Sequence, residues 1–248
     1  MTYSNSVAPM HEEPGDTVDV SSETNAAQIP WLAAQPGGDP FDPYCDHVLI
    51  RHRTTGDVVA ACRLLHHEQA RRAGGFYAAN QFDLRRLAAL GPKVAEIDRV
   101  HVHPSYGSAQ LLAAVWSAVC DYVCAHGNAY LMGCVTISIA DYGSRAVTLC
   151  RQLMQSRLVC DTLRVFPYRP FLLHSDTSLA DGGLPPAIEA WTSRGALICG
   201  APAWEARACS ASLLLLLPLA DCNRTNAGLH TATAGRIVVR ERECHAER

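Results

Sequence analysis

The stretch 96-EIDRVHVHPSYGSAQLLAAVWSAVCDYVCAHGNAYLMGCVTIS-138 decides the fold. It follows on from Ala95, and Ala95 to Val102 reads as a strand by its period of two. His103-Pro104-Ser105-Tyr106-Gly107-Ser108 ends that strand, because proline has no ladder donor and glycine tolerates unusual backbone angles. From Ala109 to Ala125, Leu111, Leu112, Val115, Ala118, Val119, Tyr122 and Val123 recur at helical spacing, and Gly127 stands where a helix stops. Ala129 to Ile139 is a second apolar run and predicts a buried strand. Strand, tight loop, helix and strand make a crossover unit, which places two parallel strands side by side. The loop before the helix is where backbone N–H groups and a helix start can hold an anion.

Outward from this unit the pattern stays mixed α/β. His47–Arg51 and Val58–Leu65 read as two strands joined by the turn Thr54-Thr55-Gly56-Asp57. Phe82–Leu90 is expected as a short helix and 141–157 as a longer one; Leu158–Pro170 looks strand-like. Pro185–Arg194 follows as a helix ended by Gly195, then Ala196–Cys199 and Ser210–Leu219 as strands. Residues 1–40 are polar and without period, and are expected as a disordered or divergent tail. One domain over 41–222 and a polar tail over 223–248 complete the expectation. There are no repeats.

Composition removes several classes of function. A net charge of −3 gives no global attraction to nucleic acid or an anionic surface. No apolar stretch has the length of a membrane span, and the N-terminus lacks a secretory pattern, so a cytoplasmic protein is expected. Eleven cysteines, an odd number with no C-x-x-C pair, read as buried free thiols rather than a disulfide or metal framework. His101 and His103 share a strand face, and His66-His67-Glu68 and Cys45-Asp46-His47 have metal-like composition. None has a second ligand cluster at recognisable spacing, so no metal is expected. Phosphate-loop, nucleophile-elbow and dinucleotide signatures are absent from the sequence.

Glu96-x-x-Arg99 is the pair with chemistry in it. On a regular strand the two side chains point to opposite faces, unless the strand bulges. A carboxylate on a core strand beside an anion-binding loop suits a general base that takes the proton of an attacking amine; an ion pair is the alternative.

FDPYCDHVLI from Phe41, ACRLL from Ala61, GGFYAANQFDL from Gly74, Glu96-x-x-Arg99-x-x-VHPSY, YLMGC from Tyr130 and LPPAIEAWTSRGALICGAPAW from Leu184 resemble, in order and spacing, one family. It is the ornithine acyl-carrier-protein N-acyltransferases, bacterial enzymes of the GNAT superfamily; the front half is similar as well to acyl-homoserine-lactone synthases. The resemblance implies transfer of a 3-hydroxyacyl chain from acyl carrier protein to the α-amine of L-ornithine, the first step of ornithine lipid synthesis. It implies no cofactor beyond the phosphopantetheine of the carrier, and peripheral membrane contact through the lipid product. Glu96 and Arg99 take the catalytic positions, and Asp46 and Arg63 the substrate positions. Val102, Tyr106, Gly107, Ser108 and Ala109 face the acyl donor. Arg71-Arg72 or Arg85-Arg86 would meet an acidic carrier. Because residues 1–40 lack the family's usual opening segment, the expected fold is a GNAT-like mixed sheet flanked by helices, without its first strand and helix. A carrier-binding relative without activity, or an acyl-homoserine-lactone synthase, are the alternatives.

Overall fold

The structure is a computed structural model that describes residues 18–23, 39–106, 109–141, 143–173 and 183–219. Its centre is one eight-stranded sheet. Strands β1 (Val18–Glu23), β2 (Asp46–His52), β3 (Val58–His66), β5 (Val94–Val102), β6 (Tyr130–Ser138), β10 (Ser210–Pro218) and β8 (Leu197–Ile198) lie side by side in that order, and β9 (Ala203–Glu205) pairs with β10. Strands β4 (Phe82–Asp83) and β7 (Phe166–Pro167) form a separate two-stranded piece. Every pairing is antiparallel except β5 with β6. Helix α2 (Ala109–Ala125) makes the crossover between those two, as the central sequence stretch predicts.

The two faces of the sheet are covered differently. On one face, α2, α3 (Ser144–Arg157) and α4 (Pro186–Thr192) pack against Ile50, Cys62, Ile97, Leu131, Val135, Leu213 and Leu215. Trp116 of α2 meets Trp191 of α4 edge to face at 5.1 Å. Each large side chain buried there contributes about 1.5–3 kcal/mol. On the other face, the segment from the 3-10 turn Tyr77–Asn80 to the 3-10 stretch Arg85–Lys93, with residues around Val159 and Val165, covers Val94, Met132, Leu214 and Leu216. That second cover is mostly turn rather than helix, so polar backbone groups face the sheet. The site lies on this side.

Three expectations are corrected. Residues 18–23 do form a strand, registered against β2 from Val18↔His52 to Glu23↔His47, so the sheet has a strand ahead of Asp46. Val-Asp-Val-Ser-Ser-Glu is short and polar, and the exposed edge of β2 supplies what its composition lacks. The expectation of a missing first helix and the expected polar tail over 223–248 fall on residues outside the described ones. Phe82–Leu90 is not one helix: Phe82-Asp83 pairs with Phe166-Pro167, and the chain then turns as 3-10 helix with a break at Gly91. Of Leu158–Pro170, only Phe166–Pro167 is strand, with bridges at Leu158, Val165 and Pro170. A helix the sequence did not announce, α1 (His67–Ala73), follows β3 directly, closed at its start by a hydrogen bond from the His66 amide to Gln69 Oε1 (2.9 Å).

Candidate active site

Strands β5 and β6 each run for nine residues, yet they pair only at Val94↔Tyr130, Ala95↔Leu131 and Glu96↔Met132. Beyond Glu96 they diverge. The cause is on β5. Asp98 pairs with Arg63 and His101 with Ala61, so Arg99 and Val100 together oppose Cys62. That is a β-bulge, and Arg99 adopts a φ of 50° to make it. A bulge bends and twists its strand, which here carries β5 away from β6. At the vertex sits Gly133, where a Cβ would lie 2.8 Å from the Ile97 carbonyl oxygen and 2.9 Å from Trp191 Cζ2. The Ile139 amide donates to Cys209 O on the β10 side, and the alternation of a ladder therefore aims the amides of Cys134, Thr136 and Ser138 into the gap.

The bulge also settles where Arg99 goes. Its guanidinium donates to Asp39 Oδ2 at 2.6 Å. Arg63, 2% exposed, reaches the same Asp39 at 3.1 Å, Asp42 Oδ1 at 2.7 Å and Asp98 Oδ2 at 2.6 Å. Two guanidinium groups and three carboxylates thus form one network beside the gap. Burial works to raise the Asp39 carboxyl, but the Phe41 amide, Arg63 and Arg99 together hold it below its ordinary range. Arg63 is pulled the other way: burial disfavours its charge, and Asp98 and Asp42 more than restore it. A buried cation with partners on three sides is a rigid post.

Glu96 lies on the same face, 2% exposed. Its Oε2 accepts the Tyr77 amide at 2.6 Å and its Oε1 the Ala78 amide at 2.8 Å, so it caps the 3-10 turn that covers the sheet. Burial pushes its carboxyl up to about 8, against the pull of those two amides, while Asp98 adds to the rise and Arg63 opposes it. The Tyr77 ring stands 5.9 Å from the Arg63 guanidinium carbon and edge-on to Phe41 at 5.6 Å.

The sequence-derived site is therefore only partly gathered. Glu96, Arg63 and Arg99 share one face. Asp46 does not join them: the register sets His47, not Asp46, opposite Arg63, so Asp46 projects to the helical face. There it meets Gln69 Nε2 (3.0 Å), Tyr122 Oη (3.2 Å) and His66 Nε2 (3.3 Å). Val102 ends β5 opposite Ala60 and packs on the core. Tyr106 donates its hydroxyl to Asp57 Oδ2 at 3.3 Å and lies against His52 and His103. Ala109 begins α2, and Gly107 and Ser108 lie outside the described residues. Arg71 pairs with Glu68 and Arg85 with Asp83, both at exposed positions, and Arg86 lies over Phe166. No group of three or more His, Cys, Asp or Glu side chains among the described residues can hold a metal. Asp39, Asp42 and Asp98 were missed as site residues. The available signal was the need of a buried arginine for carboxylate partners.

Residues 23–117 match the acetyltransferase (GNAT) domain family. The chain is 25% identical over 218 residues to an L-ornithine N(alpha)-acyltransferase of Brucella abortus, covering 82% of this chain and 78% of that protein. It is 37% identical over 100 residues to that of Rhodobacter capsulatus, covering 38% of this chain and 39% of the other. A solved CoA-dependent acyl-homoserine lactone synthase, described with SAM and isopentyl-CoA, superposes with a TM-score of 0.51 at 10% identity, over 92% of this chain and 95% of that one. At that identity the likeness speaks for the fold.

Proposed function

We propose that this chain, which matches the acetyltransferase (GNAT) domain over residues 23–117 and is similar to L-ornithine N(alpha)-acyltransferases, moves a 3-hydroxyacyl chain from the thioester of acyl carrier protein to the α-amine of L-ornithine. The observation that carries this reading is the open edge of β6 with Glu96 at its vertex. The amides of Cys134, Thr136 and Ser138 can pair with the amide-bearing pantetheine arm as a strand would, and one of them can polarise the thioester carbonyl. The α-amine attacks that carbon, a carbon–nitrogen bond forms, and the carbon–sulfur bond breaks to release the carrier thiol. Glu96, through a water, takes the proton that the amine loses; a carboxyl held near 8 is matched to an ammonium donor. Arg99, 20% exposed at the mouth of the network, is placed to meet the acceptor carboxylate. Arg63 acts through it, as the post that fixes β5.

Among the described residues no helix is long and apolar enough to cross a membrane. We propose a cytoplasmic location because the proposed donor, acyl carrier protein, would meet it there, with its product passing to the membrane. The test is direct: the purified chain, 3-hydroxyacyl carrier protein and ornithine should yield lyso-ornithine lipid and free carrier thiol in equal amounts. A folded chain that forms neither overturns the reading.

A further inference from the structure

Across the gap from Glu96 the opposite bank carries a second set of polar groups. Glu205 ends β9 and registers with Ser210, which in turn registers with Ser138; Ala203, Ser212 and Thr136 form the next row. Ala203 and Leu214 belong to the cluster on the face that bears Glu96 and Met132, so by alternation Glu205, Ser210 and Ser212 project to that face too. Ser210 and Ser212 are 4% and 0% exposed, and among the described residues neither hydroxyl has a hydrogen-bond partner of proper geometry; the Cys134 thiol stands beside Ser212. Gln81 Oε1, in the turn that covers this face, is likewise buried and without a partner among the described residues. A buried hydroxyl left unpaired is costly, so two of them at alternate positions on one face of β10 mark a place built for a polar ligand.

The charges say which kind. Asp39, Asp42 and Asp98 are each ion-paired with Arg63 or Arg99. The Glu205 side chain makes no ion pair or hydrogen bond among the described residues. Its charge nevertheless reaches the gap: the Tyr77 phenol is pushed up first by burial, then by Asp98, Asp39 and Glu205. One bank thus holds carboxylates that are already paired, and the other holds a carboxylate that is not.

We infer that Glu205, with the Ser210 and Ser212 hydroxyls, forms the subsite for the side-chain ammonium of the acceptor, and so selects a basic diamino acid over a neutral one. The inference rests on the amino-acid acceptor reading above and adds the residue that sets its specificity. A carboxylate that pairs with the ammonium in a partly desolvated gap distinguishes it from a methyl group, as a site built to bond one group rejects an analogue that lacks it.

The test compares ornithine with norvaline, which has the same chain without the terminal amine, on the full chain and its Glu205→Gln variant. Two readouts are taken: acyl transfer from 3-hydroxyacyl carrier protein, as kcat/KM, and binding of each amino acid by calorimetry. The expected result is a preference for ornithine of about 10-fold or more in the unaltered chain, the scale of one charge-assisted bond. Glu205→Gln should collapse that preference through KM rather than kcat, and Ser212→Ala should narrow it in part. A preference that persists in Glu205→Gln overturns the subsite, as does an unaltered chain without preference in either readout. A chain that discriminates in binding but transfers nothing keeps the subsite and sinks the transfer reading, so the two can fail separately.

Discussion

Strand β6 has two edges, and they are treated in opposite ways. Toward β10 it pairs along all nine residues, from Ser210↔Ser138 to Pro218↔Tyr130. Toward β5 it pairs at three and then stands open. The closed edge sits on Leu213, Leu214, Leu215, Leu216 and Leu217, each at most 1% exposed, a continuous apolar run of the kind buried on both faces. The open edge is bordered by a bulge, a glycine vertex and a network of charges. One edge holds the fold together, and the other leaves backbone donors beyond Met132 without a strand partner among the described residues. In a packed interior that arrangement persists only where a ligand, or the water it displaces, completes the ladder.

The largest effect should come from the post that keeps the open edge open. Arg63→Ala removes the cation from Asp39, Asp42 and Asp98, leaving three carboxylates together in a half-buried place. Loss of one partner from a buried ion network costs about 3–5 kcal/mol. The melting temperature should fall steeply, and more so at low than at high ionic strength, where salt screens the repulsion among the three carboxylates. An equal loss at both salt concentrations would mean that packing of the side chain, not its charge, holds β5.

A pair of proline substitutions tests the two edges directly. Val135→Pro removes an amide that faces β10 and should cost about 3 kcal/mol or more. Thr136→Pro removes an amide that faces the gap, where no ladder bond exists to be lost. It should leave most of the stability by denaturant melting, and lower kcat/KM for the thioester substrate. Equal destabilisation by both would mean that the gap is closed in solution.

Gly133→Ala comes next. Its new Cβ would press on the Ile97 carbonyl and Trp191, and overpacking at a backbone atom costs about 1–3 kcal/mol. The strain falls at the vertex, so activity should drop further than chemical-denaturation stability suggests. Gly200→Ala is the control on the closed side. Its Cβ would overlap the Val165 carbonyl oxygen, and stability alone should suffer.

How much of this was written in the sequence follows from the range of the forces involved. The crossover β5–α2–β6 was legible because alternation and helical spacing are local patterns that the fold uses unchanged. The cysteines read correctly only in part: all those described are free, and Cys45, Cys62, Cys120, Cys150 and Cys199 are buried, but Cys124 and Cys134 are half-buried and Cys160 and Cys209 are exposed. The bulge at Arg99 was not legible. Arginine gives no glycine-like warning of a positive φ, and the bulge exists because Arg63 and Asp39 reward it from β3 and from a distant turn. Asp46 was assigned to the substrate because it sits in an acidic turn. A single-residue difference in register sends it to the other face, and only strand pairing fixes that. Strand β1 was hidden for a related reason, since its neighbour, more than its composition, makes it a strand.

The smallest effect on stability, and the most informative on chemistry, belongs to Glu96. Its carboxyl is raised by burial from an ordinary 4.5 to about 8. Between those values the folded chain keeps a proton that the unfolded chain has released, so stability falls as pH rises through 8 and changes little above it. Glu96→Gln is neutral throughout and escapes that fall. The melting temperature of the unaltered chain, minus that of the variant, should therefore shrink from pH 5 to pH 8.5. A gap that stays flat would mean that the Tyr77 and Ala78 amides hold the carboxylate ionised, and that burial does not govern it. The same variant separates a cap from a base. If Glu96 only caps the turn, glutamine should preserve most of the rate, because it keeps one of the two hydrogen bonds and the shape. If Glu96 takes the proton, turnover should fall by about 100-fold. The acid limb that rises toward pH 8 in the unaltered enzyme should vanish with it, since no other group among the described residues is both raised to that range and joined to the turn above the gap.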